Sequence, residues 1–228
     1  MTTTNEKLRV LAIHGYRQTD AIFSAKLGSL RKYFKQKINF VFVQAPHKVP
    51  PLESSDNDEE PSDIDVRGWW FNTENHLFKA TEPSNLSVGF EESLAVIENV
   101  FKNDGPFDGV IGFSQGASFL SILCAMQQMK QSESIKFDFA ILISGFKSLC
   151  QPHAKFYNEK INIPTLHIYG NSDRIIPEEM MKDLADLFID SKIIVHDGGH
   201  YVPSKKLYYD EFFNEIYNTK FSPINNQT

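Results

Sequence analysis

Short apolar runs alternate with polar or amphipathic segments along the whole chain, and this alternation restricts the fold more than any other feature. The runs are rich in Val, Ile, Leu and Phe, which is typical of buried strands. We predict strands over residues 8–15, 38–46, 107–113, 137–146, 163–173 and 191–199. We predict helices over residues 20–36, 86–102, 115–130, 177–188 and 205–217. Strands that are separated by helices rather than hairpin turns indicate an α/β fold, with a mostly parallel sheet of about six strands and helices on both faces.

The size of the chain favours one domain. Its 228 residues are 41% hydrophobic, which is enough for one sizeable core, so we expect a single domain over residues 1–228. Seven acidic residues are concentrated between positions 53 and 65, where there is no Lys or Arg. Clustered like charges repel one another, so this segment is predicted to be a flexible acidic loop. The rest of the chain is close to neutral and has no cluster of Lys and Arg, so no nucleic-acid partner is expected.

The same composition bears on location. The first residues lack a basic segment followed by an apolar one, so no signal peptide is expected. No apolar run approaches the roughly 18 residues of a membrane span. The two cysteines, Cys124 and Cys150, fit neither a metal-binding spacing nor a disulfide framework. They are predicted to be reduced thiols in a cytoplasmic protein.

The strand ends indicate the chemistry. The first predicted strand is followed by HGYRQTD rather than by G-x-G-x-x-G, and G-x-x-x-x-G-K-[ST] is absent, so neither common nucleotide-binding motif is present. In open parallel sheets, ligands bind at the carboxyl ends of the strands. Four predicted strands end in residues suited to nucleophilic catalysis: His14 to Tyr16, Gly112 to Gly116, Gly170 to Asp173 and Gly198 to His200.

Ser114 is the candidate nucleophile. It is the serine of GFSQG, between a predicted strand and a predicted helix. A serine in such a sharp turn is exposed at the top of the sheet, and the flanking glycines let the backbone and the helix approach closely. The alternative is a small residue in a turn that only caps the helix.

Asp173 and His200 are the candidate orienting acid and general base. Each follows a separate predicted strand, and the order Ser114, Asp173, His200 is that of α/β hydrolases. Taken alone, His200 is also compatible with a surface loop, and Asp173 with a turn before the next helix. His196 and His200 have the spacing of two metal ligands on a helix, but the Gly-Gly pair between them argues against a helix, so no metal is expected.

The remaining predicted site residues concern the oxyanion and the substrate. The backbone N–H groups of Gln115 and Tyr16 are the candidate oxyanion hole. Trp69 and Trp70, in the long connection after the second strand, are candidates for an apolar acyl pocket. Packing on the sheet as loop anchors is the alternative for both. Further candidates for the pocket wall are Phe146, Tyr201 and Tyr16.

These motifs also match a known family. The segments HGYRQTDAIFSAKLGSLRK, QAPHKVP, RGWWF, GPFDGVIGFSQGAS, ILISGF, GNSD and GGHYVP occur in order between about residues 8 and 215. With them the chain resembles the small serine hydrolases of the fungal "family of serine hydrolases". The resemblance implies an α/β-hydrolase fold without a cofactor, a catalytic triad of Ser114, Asp173 and His200, and hydrolysis of carboxylic esters. Members that resemble thioesterases keep a thioester substrate open.

The sequence therefore predicts a serine carboxylesterase that forms an acyl-enzyme on Ser114 and acts on a small apolar ester. An acyl thioesterase is the first alternative. The second is a non-catalytic module that binds small ligands on the same fold. The sequence does not predict the oligomeric state.

Overall fold

The computed structural model describes residues 6–51 and 65–221. The six long strands are β1 (Leu8–Ile13), β2 (Ile38–Val43), β5 (Gly109–Phe113), β6 (Phe139–Ile143), β7 (Thr165–Gly170) and β8 (Lys192–His196). Two short strands, β3 (His47–Lys48) and β4 (Arg67–Gly68), pair with each other. The helices are α1 (Asp20–Lys26), α2 (Gly28–Tyr33), α3 (Phe90–Asp104), α4 (Gln115–Gln128), α5 (Glu178–Ala185) and α6 (Leu207–Phe221).

The six long strands form one sheet in the order β2-β1-β5-β6-β7-β8. Every pairing in it is parallel, which confirms the predicted sheet. The chain moves outward from β1 to β2 in one direction and from β5 to β8 in the other. The order therefore reverses between β1 and β5, and in open α/β sheets ligands bind in the crevice at such a reversal.

Apolar side chains cover both faces of the sheet. One core cluster contains α3 and α4 residues such as Ile97 and Phe119. The other packs α1, α2 and α6 against the opposite face through residues such as Phe23 and Phe213. The inner strands β1, β5, β6 and β7 are covered on both sides and are almost continuously apolar, as the sequence suggested.

The structure departs from the predicted helix 20–36, which is two helices instead. The first helix ends at Lys26, and the φ of −83° and ψ of 6° of the next residue, Leu27, are not helical. Gly28 follows and begins the second helix. Leu27 is fully buried. The apolar positions keep helical spacing on both sides of this break. The hydrophobic periodicity of the sequence therefore did not reveal the break.

Two short elements were not predicted. A 3₁₀ helix spans Gln151–Tyr157, and the β3–β4 pair joins the two sides of the acidic segment. The predicted acidic loop at 53–65 lies outside the described residues except for Asp65, which pairs with Arg67. Within the described ranges, no helix is long and apolar enough to span a membrane.

Candidate active site

Ser114 lies in the turn between β5 and α4. Its φ of 53° and ψ of −118° are outside the regions that non-glycine residues normally adopt. The turn is fixed on both sides, because the Ser114 amide donates to the Ile143 carbonyl at 2.9 Å and the Ser118 amide donates to the Ser114 carbonyl at 2.9 Å. A strained conformation that the surroundings hold in this way is typical of functional positions.

The two glycines of the turn are required by close backbone contacts. A Cβ at Gly112 would lie 2.6 Å from the Gly116 carbonyl oxygen. A Cβ at Gly116 would overlap the carbonyl oxygens of Ile13 and His14 at the end of β1. The glycines therefore allow α4 to start directly against the end of β1, which gives the tight strand–turn–helix geometry that the sequence predicted.

His200 and Asp173 are hydrogen-bonded in line with Ser114. Nε2 of His200 lies 2.9 Å from Oγ of Ser114, and Nδ1 lies 2.7 Å from Oδ2 of Asp173. The other oxygen of Asp173 accepts the amides of Ile175 and Ile176 at 2.8 Å and 3.0 Å. The carboxylate is thus held by two backbone donors and can accept the Nδ1 proton of His200, leaving Nε2 to accept the proton of the serine.

The loops after β7 and β8 meet through two glycines. A Cβ at Gly170 would overlap the Gly198 backbone, and a Cβ at Gly198 would overlap the ring of Tyr201. The Asn171 amide donates to the His196 carbonyl at 2.9 Å, and the Ser172 amide donates to the Gly198 carbonyl at 3.2 Å. This close contact brings the loop of Asp173 against the loop of His200.

The imidazole of His200 is also held by an aromatic ring. Phe113, the residue before Ser114, lies 4.9 Å from it between ring centroids. The His200 side chain keeps 16% of its surface exposed, whereas the Asp173 side chain is fully buried. The serine–imidazole pair is therefore at the surface, and the carboxylate behind it is shielded from water. No sequence pattern indicated this role of Phe113, which has the appearance of an ordinary buried strand residue.

The two candidate oxyanion amides belong to neighbouring elements. Gln115 is the first residue of α4, and Tyr16 follows β1, which pairs directly with β5. A Cβ on Gly15 would lie 3.3 Å from Cβ of Ser114, so the Gly15–Tyr16 segment lies beside the serine. The hydroxyl of Tyr16 accepts the Phe78 amide at 3.2 Å, and burial raises the pKa of Tyr16 above its usual value of 10.0.

The side chain of Gln115 has a role that the sequence did not reveal. It is fully buried. Its Oε1 accepts the Trp69 amide at 3.0 Å, and its Nε2 donates to the Trp70 carbonyl at 2.8 Å. The residue after the candidate nucleophile thus fixes the Trp-Trp loop by two backbone contacts.

Trp69 and Trp70 do not form an open pocket wall in this structure. Both are fully buried and belong to the core cluster that contains Phe119. The indole N–H of Trp69 donates to the His14 carbonyl at 2.8 Å. The alternative interpretation, that they anchor the loop on the sheet, fits this packing.

The other candidate wall residues, Phe146 and Tyr201, differ in exposure. Phe146 is fully buried, whereas Tyr201 is 46% exposed and directly follows His200. Phe146 belongs to a separate small apolar cluster with Tyr169, Ile176 and Met181. Phe78 packs on that cluster, 6.2 Å from Phe146 and 5.5 Å from Tyr16 between ring centroids. We call Phe146, Tyr169, Ile176, Met181 and Phe78 the apolar side cluster.

A cavity of about 280 Å³ lies elsewhere, between the end of the 3₁₀ helix and α5. Its walls are largely charged and include Lys147, Lys160 and Asp183. None of Ser114, Asp173 and His200 lines it, so it is not the space in which an ester would meet the serine.

The other buried histidines are held neutral. Burial lowers the pKa of His14 and of His153 from 6.5 to about 4, and that of His167 to about 3. The pKa of His196 is also lowered, mainly by burial. Its Nδ1 accepts the Gly198 amide at 3.1 Å, so His196 supports the loop backbone. Among the described residues, no group of three or more His, Cys, Asp or Glu is arranged to hold a metal ion.

The comparison with protein families identifies the chain. The family model described as "Serine hydrolase (FSH1)" matches residues 1–212. The chain belongs to the FSH1 serine hydrolase family. This confirms the resemblance inferred from the motifs, and the chain is a serine hydrolase.

Curated relatives and a solved structure agree with this family. "Esterase AAEL000016" of Aedes aegypti is 47% identical, over 92% of this chain and 76% of the relative. "Esterase OVCA2" of Danio rerio is 43% identical, over 86% of this chain and 91% of the relative. The crystal structure of Arabidopsis thaliana SOBER1 superposes with a TM-score of 0.60 at 14% identity, over 93% of this chain and 99% of that one. The predicted α/β-hydrolase fold is therefore confirmed.

Proposed function

We propose that this FSH1 family member is a serine carboxylesterase whose catalytic triad is Ser114, Asp173 and His200. The proposal rests on two consecutive hydrogen bonds: one of 2.7 Å joins Asp173 to Nδ1 of His200, and one of 2.9 Å joins Nε2 of His200 to Oγ of Ser114. The order of the three residues is that of α/β hydrolases. The Aedes and Danio relatives are named esterases, which supports an ester as the substrate.

Acylation uses the three residues in turn. Oγ of Ser114 attacks the ester carbonyl carbon while Nε2 of His200 accepts the serine proton, and a tetrahedral oxyanion forms. The carbon–oxygen bond to the alcohol then breaks, and His200 gives its proton to the leaving oxygen. Asp173 holds the Nδ1 proton and stabilises the imidazolium. The products of this half-reaction are the free alcohol and an acyl group on Ser114.

Deacylation repeats the same steps with water. His200 takes a proton from the water molecule as its oxygen attacks the acyl carbonyl. The bond between the acyl carbon and Oγ then breaks, and the proton returns to Ser114 as the carboxylic acid leaves. The partial exposure of the His200 side chain is consistent with access for this water.

The oxyanion of both intermediates is proposed to accept the amides of Tyr16 and Gln115. Gln115 is supported by its position at the first turn of α4, where backbone N–H groups and the helix dipole favour a negative charge. Tyr16 is supported by the closeness of Gly15 to Ser114. Each donor is expected to contribute about 10²–10³ in rate.

The proposed substrate is a small ester with an apolar acyl or alkyl group. The apolar side cluster is linked to the site at two points. Phe78 packs on Tyr16, and Ile176 donates its amide to Asp173. Phe78, the half-buried member of this cluster, is the one proposed to meet a substrate chain, and its aromatic ring favours a hydrocarbon chain over a sugar or a charged group.

The thioester alternative shares every step above and differs only in the leaving group. The non-catalytic alternative is disfavoured, because a ligand-binding module has no use for the aligned hydrogen bonds of Asp173, His200 and Ser114.

We also propose a cytoplasmic location, which is supported by two free, buried cysteines, Cys124 and Cys150. Fractionation of cells that produce the tagged protein tests the location.

The function is tested with paired substrates. Oxygen esters and thioesters of the same acyl groups, from acetyl to dodecanoyl, are compared on the wild-type chain, on Ser114→Ala and on Ser118→Ala. Ser118 is a matched control, a buried serine one helical turn further along α4. We expect Ser114→Ala alone to lose turnover, and kcat/KM to be higher for the oxygen esters. A higher kcat/KM for the thioesters would show that the protein is a thioesterase rather than a carboxylesterase. Full activity in Ser114→Ala would overturn the role of Ser114 in either reaction.

A further inference from the structure

His14, at the end of β1, is buried beside the site but has no part in the proposed chemical steps. Both of its ring nitrogens contact backbone atoms. Nε2 lies 3.0 Å from the Ala45 amide nitrogen, and Nδ1 lies 2.7 Å from the Gly15 carbonyl oxygen. The side chain is fully buried, so both contacts are shielded from water.

These partners fix the protonation of the ring. A backbone amide only donates, so Nε2 must accept from Ala45 and carries no proton. The single proton of the neutral ring is therefore on Nδ1, which donates to the Gly15 carbonyl. Burial lowers the pKa of His14 to about 4, so this one tautomer is present at neutral pH.

The contact with Gly15 determines the direction of the next amide. The Gly15 carbonyl and the Tyr16 N–H belong to one planar peptide unit. In a trans peptide the two groups point in opposite directions, and the one cis peptide bond of the described residues is Gly105–Pro106. Because the carbonyl points to His14, the Tyr16 N–H points away from His14. Within the described ranges, this amide donates to no backbone acceptor.

The same peptide unit lies against the candidate nucleophile. A Cβ on Gly15 would lie 3.3 Å from Cβ of Ser114 and 3.3 Å from the Phe113 carbonyl oxygen. Gly15 thus packs on the turn of Ser114, and the Tyr16 amide is the next group along the chain. The rotation of this one peptide unit decides whether that amide is available to an oxyanion on Ser114.

A second set of contacts holds His14 itself. The indole N–H of Trp69 donates to the His14 carbonyl at 2.8 Å, and the two rings lie 5.2 Å apart between centroids. The backbone amide of Trp69 donates in turn to the Gln115 side chain at 3.0 Å. Trp69 therefore connects the segment of one candidate oxyanion amide, Tyr16, to the residue of the other, Gln115.

We propose that His14 is a positioning residue for the oxyanion hole: its Nδ1 proton holds the Gly15 carbonyl and thereby directs the Tyr16 amide at the oxyanion formed on Ser114. This inference rests on the proposed ester hydrolysis. His14 touches no reacting atom and exchanges no proton during turnover. It acts by keeping one peptide unit in the orientation that the transition state requires, so that no reorganisation is needed during the reaction.

Two substitutions separate the contacts of His14. In His14→Asn the side-chain amide nitrogen occupies the place of Nδ1, so the donor to Gly15 is kept and the acceptor for Ala45 is lost. In His14→Gln the amide oxygen reaches the place of Nε2, so the acceptor for Ala45 is kept and the donor to Gly15 is lost. Each variant removes one hydrogen bond, which makes them a matched pair for stability.

The experiment measures kcat, KM and the melting temperature of both variants, together with inhibition by an alkyl trifluoromethyl ketone. This ketone forms a tetrahedral oxyanion adduct with the serine. We expect His14→Gln to lose about 10²-fold in kcat with KM within about twofold, because one oxyanion donor is misdirected. Its affinity for the ketone should fall by a similar factor. His14→Asn should keep kcat within about fivefold of wild type.

Three results would overturn the proposal. In the first, His14→Gln has the kcat of the wild type. In the second, His14→Asn loses as much kcat as His14→Gln, which indicates a purely structural role. In the third, kcat of His14→Gln falls but the affinity for the ketone does not. The failure of the proposed function is distinguishable from these by the wild-type chain alone. A chain without serine catalysis would turn over no ester and would not bind the ketone, and a thioesterase would prefer thioesters to oxygen esters.

Discussion

Ser114 is the residue on which the proposed chemistry depends, and its backbone is strained. A non-glycine residue with a φ of 53° and a ψ of −118° costs on the order of 1–3 kcal/mol. The hydrogen bonds to Ile143 and Ser118 and the glycines on either side hold the conformation. As a result, the Ser114 hydroxyl points to His200. It makes no hydrogen bond to the start of α4, which a serine that only caps the helix would make.

The role of the Asp173 carboxylate is tested by a single substitution. Asp173→Asn keeps the shape of the side chain but can donate to His200, which favours the wrong tautomer of the ring. We expect kcat to fall on the order of 10⁴-fold, as the same change does in serine protease triads. Steady-state kinetics with a nitrophenyl ester measures the change.

Asp197→Asn is the matched control for that substitution. Asp197 lies in the same group of loops but is exposed, and its side chain accepts from Asn171 at 3.3 Å. It should keep activity within about twofold. Equal losses in the two variants would show that the kinetics report a general charge effect and would contradict the role given to Asp173.

The sequence indicated the candidate site residues at strand ends but not those whose contacts are tertiary. Ser114, Asp173 and His200 each follow an apolar run, and their order in the chain is informative without a structure. The burial of Trp69 could not be inferred in that way, because a loop sequence does not reveal what covers it. The two side-chain contacts of His14 were missed as well, because no local pattern indicates which backbone groups a buried ring will meet.

The geometry of the site depends on how closely β1, β5 and α4 approach one another. Gly116→Ala tests this approach, because the added Cβ would overlap the carbonyl oxygens of Ile13 and His14. Backbone atoms cannot move aside as a flexible side chain can. We expect a loss of at least about 2 kcal/mol in the free energy of unfolding, together with a loss of esterase activity.

Gly28→Ala is the control for that substitution. A Cβ at Gly28, the first residue of α2, would meet no atom within 4 Å. Alanine there should leave the protein as stable as wild type or more stable by up to about 1 kcal/mol. Denaturant unfolding measures both variants. A Gly116→Ala chain as stable as Gly28→Ala would be incompatible with the described contact between α4 and β1.

The segment between β4 and α3 carries Phe78, which tests the predicted apolar pocket. Phe78 contacts Tyr16 on one side and Phe146 on the other, so we expect it to limit the space for the acyl chain. Phe78→Ala should raise the ratio of kcat/KM for dodecanoyl over butanoyl esters several-fold, because it removes a large ring that packs on Tyr16.

Phe42→Ala controls for general loosening of the fold. Phe42 is a half-buried phenylalanine that packs on the other core cluster. Its loss should lower stability without changing the ratio between chain lengths. A similar shift of this ratio in both variants would show that the apolar side cluster does not determine the chain-length preference.

The elements themselves were predictable where they are long. Each of the six long strands lies at its predicted position, because apolar β-branched runs are a strong signal. The break at Leu27 and the two-residue strands β3 and β4 were missed. Two residues are too few for a periodic pattern, and the non-helical turn at Leu27 leaves the helical spacing of its neighbours intact.

Buried neutral histidines make the stability of the protein depend on pH. Burial lowers the pKa of His14 and His153 to about 4 and that of His167 to about 3. In the unfolded chain these rings have a pKa of about 6.5, so on acidification the unfolded state binds protons first. Stability is therefore full above about pH 6.5 and falls between about pH 6.5 and about pH 4, where each ring contributes a slope of about 1.4 kcal/mol per pH unit.

His167→Leu isolates one of these rings without touching the site. His167 lies on β7 and packs against Phe188. In the variant, the loss of unfolding free energy between about pH 6.5 and about pH 4 should be shallower by about 1.4 kcal/mol per pH unit. Urea unfolding at steps of half a pH unit measures this slope, and one transition at each pH is the result that the predicted single domain requires. An unchanged slope would contradict a neutral, buried His167.

The proposed mechanism requires Ser114 to become acylated through His200 during ester hydrolysis. It is tested most directly by stopping the reaction with a slowly hydrolysed ester in acid and measuring the mass of the intact protein and of its peptides. We predict a gain of one acyl group on the peptide that contains Ser114 in the wild-type chain, and no gain in Ser114→Ala. Acylation of another residue, or turnover by Ser114→Ala at the wild-type rate, would contradict the mechanism.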